Sequence, residues 1–152
     1  RKATDMHLDP NGLEILPPAA CRGLVEENEF GRLAFADADS VTILPVTYTI
    51  VDDHLVVRTT SGSKMAAASD RRPAALEIDR FDERRHTGWS VLVRGRLHLV
   101  EDDAEIAALD AAELHSWVRA GGSYVRLSID EVTGRRMHSR AHLVVDPRQE
   151  GP

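Results

Sequence analysis

Residues 56–64 have the sequence Val-Val-Arg-Thr-Thr-Ser-Gly-Ser-Lys, and the rest of the chain is best understood from this stretch. The apolar run predicts a β-strand, and the Ala-rich segment after Lys64 predicts the start of a helix. The turn between them brings unpaired backbone N–H groups and the positive end of a helix dipole to one point. Arg58 can bind an oxyanion through two parallel hydrogen bonds, and Lys64 adds a mobile charge. An anion site and an ordinary turn with two solvated cations fit these residues equally well.

The composition is typical of one globular domain. The chain has 152 residues, of which 42% are hydrophobic and 29% are charged. A net charge of -6 argues against general nucleic-acid binding, which depends on neutralising phosphates. The single cysteine, Cys21, excludes an intramolecular disulfide, and no histidine pair has metal-site spacing, so we predict no metal ligand. Because no apolar run is long enough to cross a bilayer and no signal peptide is visible, we expect a cytoplasmic protein without a membrane partner.

The pattern around the opening stretch is mostly β. Tight turns separate short apolar and β-branched runs, which predicts antiparallel neighbours. The predicted strands cover residues 30–36, 41–51, 54–59, 74–79, 89–100 and 124–129. Three helices are predicted: one that starts at Pro17-Pro18, one at residues 64–70 and one at residues 101–114. Because the strands do not alternate with helices, we expect a mainly β fold, a six-stranded antiparallel barrel with flanking helices.

Local signals refine this arrangement. Pro45 lies inside a predicted strand and has no N–H, so it should mark a sheet edge or a bulge where a ligand can approach the backbone. Gly95, near the middle of the longest strand, predicts a bend or a close approach. The charged run at residues 80–88 predicts a solvated loop, and residues 130–134 predict a turn.

Three ordered segments together have a recognisable pattern. They are residues 31–35 (Gly-Arg-Leu-Ala-Phe), residues 44–48 (Leu-Pro-Val-Thr-Tyr) followed by 57–64, and residues 88–95 (Gly-Trp-Ser-Val-Leu-Val-Arg-Gly). In this order the sequence resembles the pyridoxamine 5'-phosphate oxidase-like flavoproteins, in the actinobacterial branch related to nitroimidazole-resistance reductases. The resemblance implies a split β-barrel homodimer with FMN in a groove between subunits. The expected division is a flexible arm at 1–16, a flavin-binding split-barrel domain at 17–138 and a C-terminal tail at 139–152.

The resemblance also implies the flavin contacts. The positions that match the phosphate-binding set are Arg58, Thr59, Ser61, Ser63 and Lys64. The positions that would line the isoalloxazine ring are Pro45, Val46, Thr47 and Tyr48, and Trp89 and Ser90 would approach it. Trp117 is a looser candidate from the partner subunit.

Two departures from the family pattern bear on the substrate. Thr47 stands where the Pro-Val-Asn-Tyr form has asparagine, which weakens the case for its ring contact. Residues 134–138 do not match the substrate-binding ending of true pyridoxine-phosphate oxidases. We therefore expect a substrate other than a pyridoxine phosphate.

The leading functional hypothesis is a flavin-dependent oxidoreductase that acts on a small molecule, with a reduced nicotinamide or deazaflavin as donor. No catalytic side chain is predicted. A rival hypothesis keeps the fold but uses the deazaflavin F420, whose longer acidic tail would need a basic groove, for which Arg71, Arg72, Arg84 and Arg85 are available. A non-catalytic flavin- or haem-binding protein also fits the pattern, as does a barrel without cofactor that acts through its dimer surface.

Overall fold

β-Strands dominate the computed structural model, which describes residues 6–60, 62–112 and 121–139. Nine strands and three helices follow one another within these ranges. They are β1 (Glu14–Ile15), α1 (Pro18–Glu26), β2 (Phe30–Asp37), β3 (Ser40–Thr47), β4 (Thr49–Val51), β5 (His54–Thr59), α2 (Gly62–Ser69), β6 (Pro73–Asp82), β7 (Thr87–Leu99), α3 (Asp103–Ala111), β8 (Ser123–Ser128) and β9 (Glu131–Met137).

The strands form one antiparallel sheet in the order β3-β2-β6-β7-β8-β5-β4. Only Tyr48 separates β3 from β4, so the two ends of this order are consecutive pieces of chain. The sheet therefore curls into a barrel with six strand positions, in which β3 and β4 share one. This confirms the mainly β antiparallel barrel with flanking helices that the sequence predicts.

The strand count is higher than predicted, for two reasons. The predicted strand at residues 41–51 is two strands, and the break falls at Tyr48 rather than at Pro45. Pro45 lies within β3, whose residues pair only with β2 in the described sheet, as the edge prediction requires. In addition, β1 and β9 pair with each other outside the six positions, and β9 also pairs with β7. The predicted turn at residues 130–134 is wrong beyond its first residue, because residues 131–134 belong to β9, which follows a tight turn at Asp130.

The predicted charged loop at residues 80–88 is also wrong. The ladder between β6 and β7 continues to the pair Asp82 and Thr87, so the turn covers only residues 83–86. Backbone pairing does not require apolar side chains, and this end of the ladder projects beyond the core with its side chains largely in solvent.

The long strand β7 joins the two halves of the barrel. Its first part pairs with β9 as far as Arg94, and its last part pairs with β8 from Leu97. At the change of partner, a Cβ on Gly95 would lie 1.8 Å from the Ser128 carbonyl oxygen. This confirms the close approach predicted at Gly95.

Two helices close the barrel and one lies outside it. Cys21 and Val25 of α1 and Ala67 and Ala68 of α2 belong to the main core, which the inward-facing strand residues complete. The predicted helix starts at Pro17 and Pro18 and near Lys64 are thus confirmed. On the outer face, Leu109 of α3 packs with a smaller buried cluster that contains Val56 of β5, Tyr124 of β8 and Val100, just after β7. Within the described ranges, no helix is long and apolar enough to span a membrane.

Candidate functional site at the β5–α2 junction

Arg58 lies near the end of β5, on the outer face of the barrel. Its Nε donates a hydrogen bond of 3.0 Å to the Gly121 carbonyl oxygen, and its guanidinium carbon lies 5.7 Å from the centre of the Tyr124 ring. Tyr124 is the register partner of Arg58 across β5 and β8, so the two side chains share one face of the sheet. These contacts fix the direction of the guanidinium.

The glycines before β8 allow this approach. Gly121 and Gly122 have φ angles of +101° and +99°, which other residues adopt only with strain. A Cβ on Gly122 would lie 2.8 Å from the Thr59 carbonyl oxygen. The loop therefore packs directly against the end of β5, with the Gly121 carbonyl oxygen beside Arg58.

Lys64 lies in the first turn of α2 with only 8% of its surface exposed. It shares a helix face with Ala67 and Ala68, which pack into the core. Burial lowers the pKa of the Lys64 ammonium because the charged form loses solvation. A bound anion would favour the charged form of this buried lysine.

The phosphate-binding set predicted from the sequence surrounds one turn. Arg58 and Thr59 end β5, and Ser63 and Lys64 follow Gly62, the first residue of α2. Alternation along β5 puts Arg58 on the outer face and directs Thr59, 1% exposed, into the interior. Ser61 and Trp117 lie outside the described residues.

The predicted ring-lining stretch covers the end of β3 and Tyr48, directly before β4, the neighbour of β5. Thr49, just after the stretch, pairs with Val56, two residues before Arg58. Pro45 is exposed and Val46 is buried, whereas the Tyr48 hydroxyl donates a hydrogen bond of 2.7 Å to the Val25 carbonyl oxygen. The side chain of Tyr48 thus belongs to the core, and a ring contact at this position would come from its backbone.

Trp89 and Ser90 lie elsewhere in the same chain. They are near the start of β7, and both β6 and β2 stand between β7 and β3 in the sheet. Three strand spacings amount to about 14 Å. Trp89 lines a cavity of about 280 Å³ with Arg80 and Arg136. Along the sheet of one subunit, therefore, Trp89 and Ser90 are separated from the predicted ring-lining residues of β3.

The sequence prediction missed two residues of this region, Tyr124 and Asp110. The Tyr124 hydroxyl donates a hydrogen bond of 2.7 Å to the Asp110 carboxylate in α3. Burial and this hydrogen bond raise the pKa of Tyr124. Tyr124 was visible only as the start of a strand, because its contact with Arg58 depends on the register between β5 and β8.

Comparisons with known proteins agree with this fold. The family model described as pyridoxamine 5'-phosphate oxidase matches residues 17–136. The uncharacterized protein Rv0080 of Mycobacterium tuberculosis is 33% identical over 120 residues, which are 75% of this chain and 78% of that protein.

Two solved structures are also similar. One is a Corynebacterium glutamicum protein provisionally assigned as a pyridoxamine 5'-phosphate oxidase, with a TM-score of 0.70 and 26% identity over 83% of this chain and 98% of that one. The other is the FAD binding protein of Mycobacterium smegmatis, with a TM-score of 0.63 and 28% identity over 82% and 97%. The chain therefore belongs to the pyridoxamine 5'-phosphate oxidase family.

Proposed function

We propose that this protein is an FMN-binding flavoprotein that acts as a flavin-dependent oxidoreductase on a small molecule. The observation that carries the proposal is the junction of β5 and α2, where Arg58 and Lys64 flank one turn at a helix N-terminus. Membership of the family and the FAD-binding relative from M. smegmatis, 28% identical, support a flavin.

The residues of the junction fit the phosphate of FMN. A dianion there would meet a guanidinium already oriented by Gly121 and Tyr124, and an ammonium whose burial disfavours its charge. The backbone N–H groups at the start of α2 add donors. Arg58, Ser63 and Lys64 would hold the phosphate in this arrangement.

The ring would lie along the backbone of residues 45–48. The exposed Pro45 and the neighbouring edge of β3 leave backbone groups accessible there. A bound flavin would supply the redox chemistry, because no side chain of the described site carries electrons. The chain itself would bind and orient the ring and keep water from one of its faces.

FMN is favoured over F420 by the ion pairs of the candidate basic groove. Arg72 donates hydrogen bonds to the Asp70 carboxylate and to the Ala36 carbonyl oxygen. Arg85 pairs with Asp82 at 3.8 Å, at the turn between β6 and β7. Because Arg72 and Arg85 already pair with acidic neighbours, their charge attracts a long acidic tail less strongly than free arginines would.

We further propose that the protein works as a homodimer. Val41 and Ile43 are 70% and 62% exposed on the outer face of β3, opposite Ala36 and Ala34 of β2. This apolar surface adjoins Pro45 on the same strand. A second copy covering it would stand beside the predicted ring site and could contribute residues such as Trp89 and Ser90 that one subunit holds apart from it.

The cofactor proposal is tested by titrating the purified protein with FMN, riboflavin, FAD and F420. Arg58→Ala/Lys64→Ala should weaken FMN binding by more than tenfold and leave riboflavin binding nearly unchanged. Arg84→Ala/Arg85→Ala removes the same charge at the β6–β7 turn and serves as the control. Equal FMN affinity in wild type and the first variant would exclude this phosphate site.

Two further measurements test the redox activity and the dimer. Reduction of the bound flavin by NAD(P)H or F420H2 in rapid mixing is expected of an oxidoreductase, whereas a flavin that neither donor reduces would indicate a binding protein. Sedimentation of wild type and Ile43→Asp tests the dimer, which the variant should dissociate. A cytoplasmic location stays a prediction.

A further inference from the structure

A second cavity lies away from the β5–α2 junction. It has a volume of about 920 Å³ and is lined by Met6, Leu8, Ile15, Pro17, Arg136 and His138, among others. We call it the arm groove, because residues 6–15 form one side of it. None of the residues predicted to bind the flavin lines it, and its volume lies within the range of about 300–1,000 Å³ that small-molecule sites occupy.

The arm that forms this groove is well anchored. Leu8 pairs with Glu14 across a turn at residues 9–13, and β1 pairs in turn with β9. Asp9 accepts a hydrogen bond of 3.0 Å from Arg135 and two more from backbone N–H groups of its own turn. These bonds hold the pKa of the Asp9 carboxyl below its ordinary value. The groove is therefore part of the folded domain.

A row of register partners runs along the groove and continues beyond it. Leu8, Glu14, Arg136 and Trp89 lie opposite one another on four neighbouring strand segments. Side chains that face each other in this way share one side of a sheet. The row begins at Leu8, continues through the ion pair of Glu14 and Arg136, and ends at Trp89. Arg136 and His138 line both this groove and the cavity that contains Trp89, so the two cavities adjoin there.

His138 and Arg136 lie at different distances from the Glu14 carboxylate in the groove. His138 Nε2 lies 2.7 Å from Glu14 Oε2, at hydrogen-bond distance. The Arg136 guanidinium lies 3.7 Å from the same oxygen, which is longer than a hydrogen bond. The contact with Glu14 therefore leaves the donors of Arg136 able to bind a second carboxylate.

We propose that the arm groove binds a small amphiphilic carboxylic acid, with its carboxylate on Arg136 and its apolar part against the arm. The exposed apolar surfaces of Met6 and Leu8 would gain burial, while the cation supplies charge complementarity. The site goes beyond the proposed flavin chemistry and does not depend on it.

The test uses the full chain and calorimetric titration with decanoate, decanol and decyltrimethylammonium, each below its micelle concentration. Decanoate is expected to bind with one saturable site, at least tenfold more tightly than either other probe, because only it can form charge-assisted hydrogen bonds with Arg136. The comparison of three probes on the wild-type protein needs no substitution. Absence of saturable decanoate binding, or equal affinity for all three, overturns the proposal.

Substitutions locate the site. Arg136→Gln should reduce the affinity for decanoate to that for decanol, and Leu8→Asp should weaken both. Phe81→Asp, at an exposed apolar residue of β6 that does not line the groove, is the matched control and should change neither. Unchanged decanoate affinity in Arg136→Gln would place the acid elsewhere and overturn the proposal. Residues 143–145 (Leu-Val-Val) lie outside the described ranges, and a higher decanoate affinity in Leu143→Asp would identify the chain's own C-terminal segment as the occupant and overturn it as well.

Discussion

The Tyr124 hydroxyl bonds to Asp110 Oδ1 at 2.7 Å while the ring of the same residue supports Arg58, whose guanidinium carbon lies 5.7 Å from the ring centre. One side chain thus connects α3 with the outer face of β5. If Arg58 binds the flavin phosphate, α3 contributes to that site without touching the cofactor.

Replacing Tyr124 should weaken phosphate binding through Arg58. Tyr124→Leu removes the ring face, and we expect a roughly two- to fivefold increase in the Kd for FMN, the size of an exposed cation–π contact. Tyr124→Phe keeps the ring and loses only the hydrogen bond to Asp110, so its FMN affinity should stay close to wild type. Fluorescence titrations with FMN and riboflavin provide the measurement. A Tyr124→Leu protein that loses affinity for both flavins equally would point to general damage of the fold.

Two glycines offer a matched pair for stability. Gly95→Ala would put a Cβ 1.8 Å from the Ser128 carbonyl oxygen, and we expect it to lower the free energy of unfolding by about 1–3 kcal/mol or more. Gly23→Ala, in the interior of α1 with nothing within 4 Å of the new Cβ, should raise it by about 0.5–1 kcal/mol. Urea denaturation of both variants tests whether the free energy of unfolding falls in Gly95→Ala and rises in Gly23→Ala. Equal destabilisation would contradict the close crossing of β7 and β8 as the cause.

Lys64 should make FMN binding depend on alkaline pH. Because burial lowers its pKa from the ordinary 10.5, the ammonium of the free protein loses its proton at a lower pH than a solvated lysine would. Affinity for FMN should therefore fall as the pH rises through that lowered pKa, while affinity for riboflavin, which has no phosphate, stays flat. Lys64→Met should remove the difference in slope between the two flavins. A slope that survives in this variant would assign the titration to another group.

His98 should reduce stability in acid. Burial and the nearby charges of Arg126 and Arg71 lower its pKa, so the unfolded chain binds more protons than the folded one between the lowered pKa and the ordinary 6.5. The free energy of unfolding should accordingly fall as the pH drops through that window. Denaturation of wild type and His98→Gln at several pH values is the check, and the variant should show a shallower decline. Parallel curves would exclude His98 as the cause.

Much of this fold follows from local sequence signals. The runs that became β5, β7 and β8 are rich in valine and other residues of high β propensity, and Gly95 marked a real close approach. β1 and β9 escaped prediction because their partners lie far away in the sequence. β9 contains Thr133, Gly134 and two arginines, a composition without apolar alternation, and its pairing with β7 decides its conformation. Gly134 is small where a Cβ would lie 2.7 Å from Cys21 Sγ, which no local pattern reveals.

In the candidate site, too, some features follow from local sequence signals and others from the pairing of distant strands. The hydroxyl-rich turn between a strand and a helix is a local signal, and the structure has that junction where the sequence predicts it. The support of Arg58 by Tyr124 and Gly121 depends on the register of β5 with β8. The arm groove depends on β1 joining β9, so neither feature could be found from residue spacing.

The hydrogen bond from the Tyr48 hydroxyl to the Val25 carbonyl oxygen has a consequence for how the barrel opens. Tyr48 is the single residue between β3 and β4, and it is buried in the core that α1 completes. Separating the strands at this seam would break the tie to α1 and expose the tyrosine ring to water. We therefore expect local unfolding of the seam and undocking of the first helix to occur together.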